Sequence, residues 1–146
     1  MTHPHHVIHV AALRYIRAHA MDVAQWKWTR LDEVPSILDG HVTLEAGELP
    51  IVSCFLSEVS WYLMTSARVI GTHRQNHFEF SPLSVASWNW GDFKGHDKSE
   101  TGTLRVDLGA AGICETAYET GKASMAPIYY ERFWRIKYPI VHKLAV

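Results

Sequence analysis

Near the start of the chain, apolar residues recur at three- and four-residue spacing: Val7, Val10, Leu13, Ile16 and Ala20, with Arg14, Arg17 and Asp22 between them. That period marks one face of an amphipathic helix. Pro4 suits its first turn, where a missing N–H costs nothing. A second short helix is expected over 32–39, because Pro35 fits an early helical position and Gly40 a C-terminal stop. The N-terminal forty residues thus read as a helical segment. From Ile51 onward Val, Ile, Phe, Trp, Tyr and Thr dominate, in runs separated by Gly, Ser, Asn and Asp. This texture belongs to a meander of antiparallel strands. Seven strands are expected, at 51–56, 58–64, 68–72, 77–80, 84–93, 102–108 and 112–119. Leu104, Val106 and Leu108 alternate with Thr103, Arg105 and Asp107, and Trp88 shares one side with Trp90. The stretch GDFKGHDKSETG, 91–102, is the most polar of the chain and reads as a long exposed loop. After Gly121 the helical period returns, and a closing helix is expected over 126–144. Tyr130, Phe133, Trp134, Ile136 and Val141 should point inward, with Glu131, Arg132, Arg135, His142 and Lys143 on the polar stripe. Pro139 falls on that stripe and should kink the helix.

The layout of about seven strands closed by one amphipathic helix resembles a pleckstrin-homology (PH)-like split barrel. A local motif adds to it: Gly47-Glu48, then Ile51-Val52, then Trp61-Tyr62-Leu63-Met64-Thr65 and Arg68-Val69-Ile70-Gly71. This is similar to the signature of bacterial PH-like and GRAM-like domains, in which two apolar strands flank a Thr-x-x-Arg turn. Physically, the Thr65 hydroxyl can bond backbone two or three residues on. The resemblance covers about 40–144 and implies an α+β fold, with a helical N-terminus followed by a seven-stranded antiparallel split barrel capped by a C-terminal helix. It implies a scaffold for binding proteins, peptides or lipid head groups rather than an active site.

A length of 146 residues fits a single domain. Its 47% apolar and 12% aromatic content can fill one core, which excludes disorder as the main state. Fourteen Lys and Arg against fifteen Asp and Glu leave a net charge of −1, so no global field recruits nucleic acid or an anionic membrane. No apolar stretch approaches the roughly 20 residues that span a bilayer, and the start MTHPHHVIHV lacks the regions of a signal peptide. The chain reads as cytoplasmic. Cys54 and Cys114 are too few and too far apart for a disulfide framework or a metal knuckle. Cys54, in an apolar run, reads as a buried inert thiol.

Among candidate chemistries, His5 and His9 lie four apart on one helical face but lack a third ligand, so no metal is expected there. His73 and His77 flank Arg74-Gln75-Asn76 and could face each other across a hairpin and there hold a divalent metal or a phosphate; with a carboxylate such as Glu79 they would be the parts of a small hydrolase or nuclease. A solvated turn is the preferred reading. Gly109-Ala110-Ala111-Gly112 lacks the Lys-Ser/Thr pair of a phosphate loop and reads as a turn. Six tryptophans are a heavy load, and core packing is their first explanation. The alternative is an aromatic anchor for a partner. Trp88 and Trp90 adjoin the polar loop with Asp92, Lys94, Asp97 and Glu100, and mixed charge beside aromatics suits a protein partner better than a polyanion. These six are the candidate binding residues; no catalytic residue, metal or cofactor is expected. The expected function is therefore a non-enzymatic protein-binding module, in its preferred version a toxin-neutralising immunity protein. A lipid or head-group binder is the first alternative, and the His73/His77 hydrolase or nuclease the second.

Overall fold

The computed structural model describes residues 4–96 and 98–145. Helix α1 (Pro4–His19) opens the chain, and it buries Leu13 and Ile16 of the expected ladder but not Val10. Ile8, Ala12, Leu13 and Ile16 are buried, whereas Val10 is 41% exposed. The sequence carries two overlapping apolar ladders here. The one that packs is centred on Ala12, whose small side chain leaves room for the C-terminal helices that α1 contacts.

The helical reading of the first forty residues fails beyond His19. Asp22 is left-handed (φ 53°), and the chain then turns to place β1 (Thr29–Leu31) alongside the next strand. The cause is tertiary. One carboxylate oxygen of the buried Glu119 accepts hydrogen bonds from the Trp28 and Thr29 N–H groups and the Thr29 hydroxyl, at 2.9, 3.0 and 2.8 Å. Its other oxygen accepts from the Lys27 N–H at 2.9 Å. A partner some ninety residues away leaves no local pattern to read. The expected helix at 32–39 is only a single 3-10 turn, Ser36–Leu38.

Strands β2 (Pro50–Ser57), β3 (Ser60–Thr65), β4 (Val69–His73) and β5 (Asn76–Phe80) follow β1 in an antiparallel sheet of order β1-β2-β3-β4-β5. A second antiparallel sheet holds β6 (Ser87–Asn89), β7 (Thr101–Asp107) and β8 (Ile113–Glu119). The fold is thus α+β, with two open sheets of five and three strands rather than one closed barrel. The expected strand over 84–93 shrinks to the three residues of β6. A 3-10 turn, Pro82–Ser84, occupies its approach, and the Asn89 side chain accepts from the Gly91 N–H at 3.0 Å where the chain turns away.

Register sorts the first sheet's side chains. Val52, Cys54, Tyr62, Met64, Val69, Phe78 and Phe80 share its inner face. They build the main core with Leu104, Val106 and Tyr118 of the second sheet, whose strand β8 lies against β2 to β4. Gly71 sits in the row Cys54, Tyr62, Gly71, Phe78. A Cβ at this position would lie 2.3 Å from the Trp61 carbonyl oxygen and 2.7 Å from the Phe78 ring, so only glycine fits. The outer face carries Trp61, Leu63 and Ile70, covered by Leu38 with Val34, Val42 and Leu44. Covering this face is what the irregular segment before β2 does.

The chain closes with α2 (Met125–Arg132), a π-helical turn (Phe133–Lys137) and α3 (Tyr138–Ala145). The Tyr138 N–H reaches back to the Phe133 carbonyl across the wide turn. Pro139 follows directly; it cannot donate to the carbonyl four residues back, and a widened turn absorbs the defect that was expected as a kink. Tyr130, Phe133 and Trp134 are buried as expected, but Ile136 is 42% exposed and Glu131 is buried at 8%. The Tyr130 hydroxyl donates to the Thr65 carbonyl at 2.8 Å and ties α2 to the first sheet. Among the described residues, no helix is long and apolar enough to cross a membrane.

Candidate functional site

The Gly-Glu and Thr-x-x-Arg residues converge on one buried network. The Thr65 hydroxyl accepts from the Ala67 and Arg68 N–H groups, each at 3.0 Å, as the turn chemistry predicts, and donates to the Glu48 carboxylate. Arg68 donates to both oxygens of that carboxylate, from Nε at 2.9 Å and Nη2 at 3.1 Å, and the Glu45 N–H adds a bond at 2.9 Å. Burial alone would raise the Glu48 pKa; the hydrogen bonds from Arg68, Thr65 and Glu45 outweigh it and hold the carboxyl below its ordinary value. With every acceptor engaged and the Glu48 side chain fully covered, this network staples the loop before β2 to the β3–β4 turn. It is a structural device.

Trp88 and Trp90 are half-buried and stacked, with ring centroids 6.1 Å apart and planes at 7°. Trp88 meets Phe80 edge-on at 5.7 Å, and Trp90 meets Tyr118 at 5.2 Å. The Tyr118 hydroxyl donates to the Trp90 carbonyl, and burial pushes its pKa up to about 12. The pair therefore walls the core while leaving one flank open. Asp92 closes its own loop by accepting from the His96 N–H at 3.1 Å. Lys94 is exposed, and Glu100 pairs with Lys27. Asp97 lies outside the described residues. The candidates fall on two surfaces: Trp88 lines one cleft, while Lys94 and Glu100 line another beside Lys27 and Trp28.

The Trp88 cleft is a groove of about 470 Å³. One wall is the approach to β6, with Leu83, Val85 and Trp88; the other is the C-terminal helix, with Glu131, Trp134 and Arg135. The Arg135 Nε donates to the Glu131 carboxylate at 2.9 Å, which places an ion pair on this wall beside Trp134. Among the described residues β6 is the edge of its sheet and pairs with β7 alone, so no described strand lies beside its outer backbone groups. Of these groove residues only Trp88 is among the candidate binding residues that the sequence offers. The spacing of Trp134 and Arg135 gave them to core and polar stripe, and nothing local joins them to Leu83.

Thr72 pairs with His77 and His73 with Asn76, so His73 and His77 point to opposite faces of their hairpin, although both border one cleft with Arg74, Arg105 and Glu115. Glu79 shares the His77 face and pairs with Arg68 at 3.2 Å. His5 Nδ1 lies 2.8 Å from the Ser66 hydroxyl and His9 Nε2 2.7 Å from Asp32, so the two imidazoles serve different partners. Among the described residues, no group of three or more His, Cys, Asp and Glu side chains converges as a metal site would require. Cys54 is fully buried, and burial pushes its thiol up to about 12. Comparison of the chain with protein-family models, curated proteins and solved structures yields no match.

Proposed function

We propose that the chain is a non-enzymatic protein-binding module of PH-like architecture, which takes an extended segment of its partner along the outer edge of β6. The observation that carries this is the coincidence of an unpaired strand edge with an aromatic-walled groove. A segment in the groove would satisfy the β6 backbone by strand addition, while alternate side chains met Leu83 and Trp88 on one side and Trp134 on the other. The Glu131–Arg135 pair at the wall would set orientation more than affinity. The PH-like reading is supported by the order of elements: a four-strand meander β2 to β5, a three-strand meander β6 to β8, then a helix. On this reading α1 and β1 are additions to that plan.

The preferred specific version is a toxin-neutralising immunity protein acting in the cytoplasm, where the free thiols Cys54 and Cys114 stay reduced. Co-expression with a toxin encoded beside its own gene should then restore growth and give an isolable complex. Leu83 is 60% exposed, so Leu83→Asp should leave the fold intact and weaken the complex by about tenfold or more. Binding indifferent to Leu83→Asp but lost in Lys94→Ala or Glu100→Ala would overturn the groove as the contact face.

A further inference from the structure

Charge is sorted by layer in this fold. Residues 4–19 and 125–145, which form α1 and the C-terminal helices, carry Arg14, Arg17, Arg132, Arg135, Lys137 and Lys143 against Glu131 alone, a net charge of +5. The rest of the chain sets eight cations against fourteen carboxylates, a net −6. α1 packs against both α2 and α3, so their outer faces join, and all six cations are exposed there. Glu131 is taken by Arg135 at the groove, and Arg17 has only a loose contact with Asp32, at 3.9 Å. Among the described residues, no carboxylate pairs with Arg14, Arg132, Lys137 or Lys143. Two of these four are positioned by rings at the seam between the helices. The Arg132 guanidinium carbon lies 5.2 Å from the centre of the Tyr129 ring, and the Lys137 Nζ 5.4 Å from that of Tyr15. Beside them Ile136 and Ile140 stand out of the core, Ile140 at 57% exposure. Arg132, Ile136, Ile140 and Lys143 follow one another at three- and four-residue intervals, which lines them up along the outside of the helix.

We propose that this helical face is a second docking surface, separate from the β6 groove, which takes an acidic protein segment: its apolar side chains cover Ile136 and Ile140 while its carboxylates meet Arg132, Lys137 and Lys143. Charge complementarity selects the partner, because a carboxylate-rich segment is drawn to the +5 layer and turned away by the −6 remainder. The composition favours a protein over a bilayer. Four of the six cations are arginines beside tyrosines, the residue types enriched at protein interfaces, where lysine is depleted. A helix that lies in a membrane surface turns its large apolar side chains outward, whereas here Tyr130, Phe133 and Trp134 are buried. Nucleic acid fits no better. Bases stack on open aromatic faces, but Arg132 and the stacked His19 ring occupy Tyr129, and Lys137 lies over Tyr15. α1 lies outside the PH-like plan, so the surface it completes belongs to this chain and is no part of that plan.

The test titrates the full chain, followed by amide NMR, with two synthetic peptides of equal charge: poly-glutamate, and a peptide with leucines set among glutamates at helical spacing. The expected result is saturable shifts confined to α1 and residues 129–143, with the leucine-bearing peptide bound about tenfold tighter, since only it can cover the isoleucines. Ile140→Asp should abolish that difference. Arg132→Gln combined with Lys137→Gln should weaken both peptides about fivefold, as two exposed ion pairs would. All three residues are exposed, and an unchanged amide spectrum elsewhere verifies each variant's fold. Leu83→Asp, which tests the β6 groove, should leave peptide binding unchanged, so the two surfaces stand or fall separately. A second arm uses phosphatidylcholine vesicles with and without phosphatidylserine, and no co-sedimentation is expected. Equal affinity for the two peptides, shifts centred on β6, or vesicle binding that is lost in Ile140→Asp would each overturn the proposal.

Discussion

Arg68→Met removes the two charged donors that face Glu48, at 2.9 and 3.1 Å, and leaves a carboxylate whose side chain is fully buried. Breaking one partner out of a buried pair costs about 3–5 kcal/mol, since the remaining charge stays desolvated. The outer contact of Arg68 with the half-exposed Glu79 adds little to this. For a chain of this length the loss corresponds to a fall in Tm of about 10 °C. The effect has a pH signature. In the native protein the Glu48 pKa lies below its ordinary 4.5, so its contribution is present above that value and disappears as pH falls through the depressed folded one. In the variant burial is opposed only by Thr65 and Glu45, the folded pKa rises, and the carboxylate becomes a burden at neutral pH that protonation relieves. Urea denaturation at pH 7 and pH 4 should therefore find the deficit largest at pH 7 and smaller at pH 4. Glu48→Gln combined with Arg68→Met should recover much of it. A deficit below about 1 kcal/mol, or one equal at both pH values, would refute the network as a buried, charge-assisted staple.

Trp134, 6% exposed, packs against Tyr130 and Phe133; Trp134→Ala should cost about 3–5 kcal/mol through lost burial and a cavity, read by chemical denaturation. Gly71→Ala forces its Cβ against the backbone of β3, and thermal unfolding should report a loss of about 1–3 kcal/mol, the range of an overpacked core. His73 has a lowered folded pKa, so the unfolded chain takes up the proton first and native stability should decline as pH drops below about 6.5. His73→Leu should flatten that decline, by up to about 1.4 kcal/mol per pH unit, in paired denaturation series across pH 5–7. Stripping with a chelator should leave the Tm unchanged, since His5 and His9 are engaged by Ser66 and Asp32.

What the sequence disclosed follows from the range of the interactions involved. The alternation of Leu104 and Val106 with Thr103 and Arg105 survives intact, because period-two burial is a property of the strand itself. The Thr65 turn was legible for the same reason: its donors lie two and three residues away. β1 was not legible, because the Glu119 carboxylate that organises it comes from the other end of the chain. The buried face of α1 was legible only in part: Leu13 and Ile16 lie where their spacing puts them, but between Val10 and Ala12 only the packing partner decides. The groove combines both difficulties. Its walls come from the approach to β6 and from the C-terminal helix, where a π-helical turn places Ile136 outside and so defeats a simple 3.6-residue count.

Amide hydrogen exchange of the chain with and without its bound partner tests the central claim most directly. Strand addition predicts slowed exchange confined to β6, residues 87–89, together with the facing helical turn at 131–135. Protection centred instead on the loop 92–100 and the segment 25–28, with β6 exchanging as freely as before, would contradict the account.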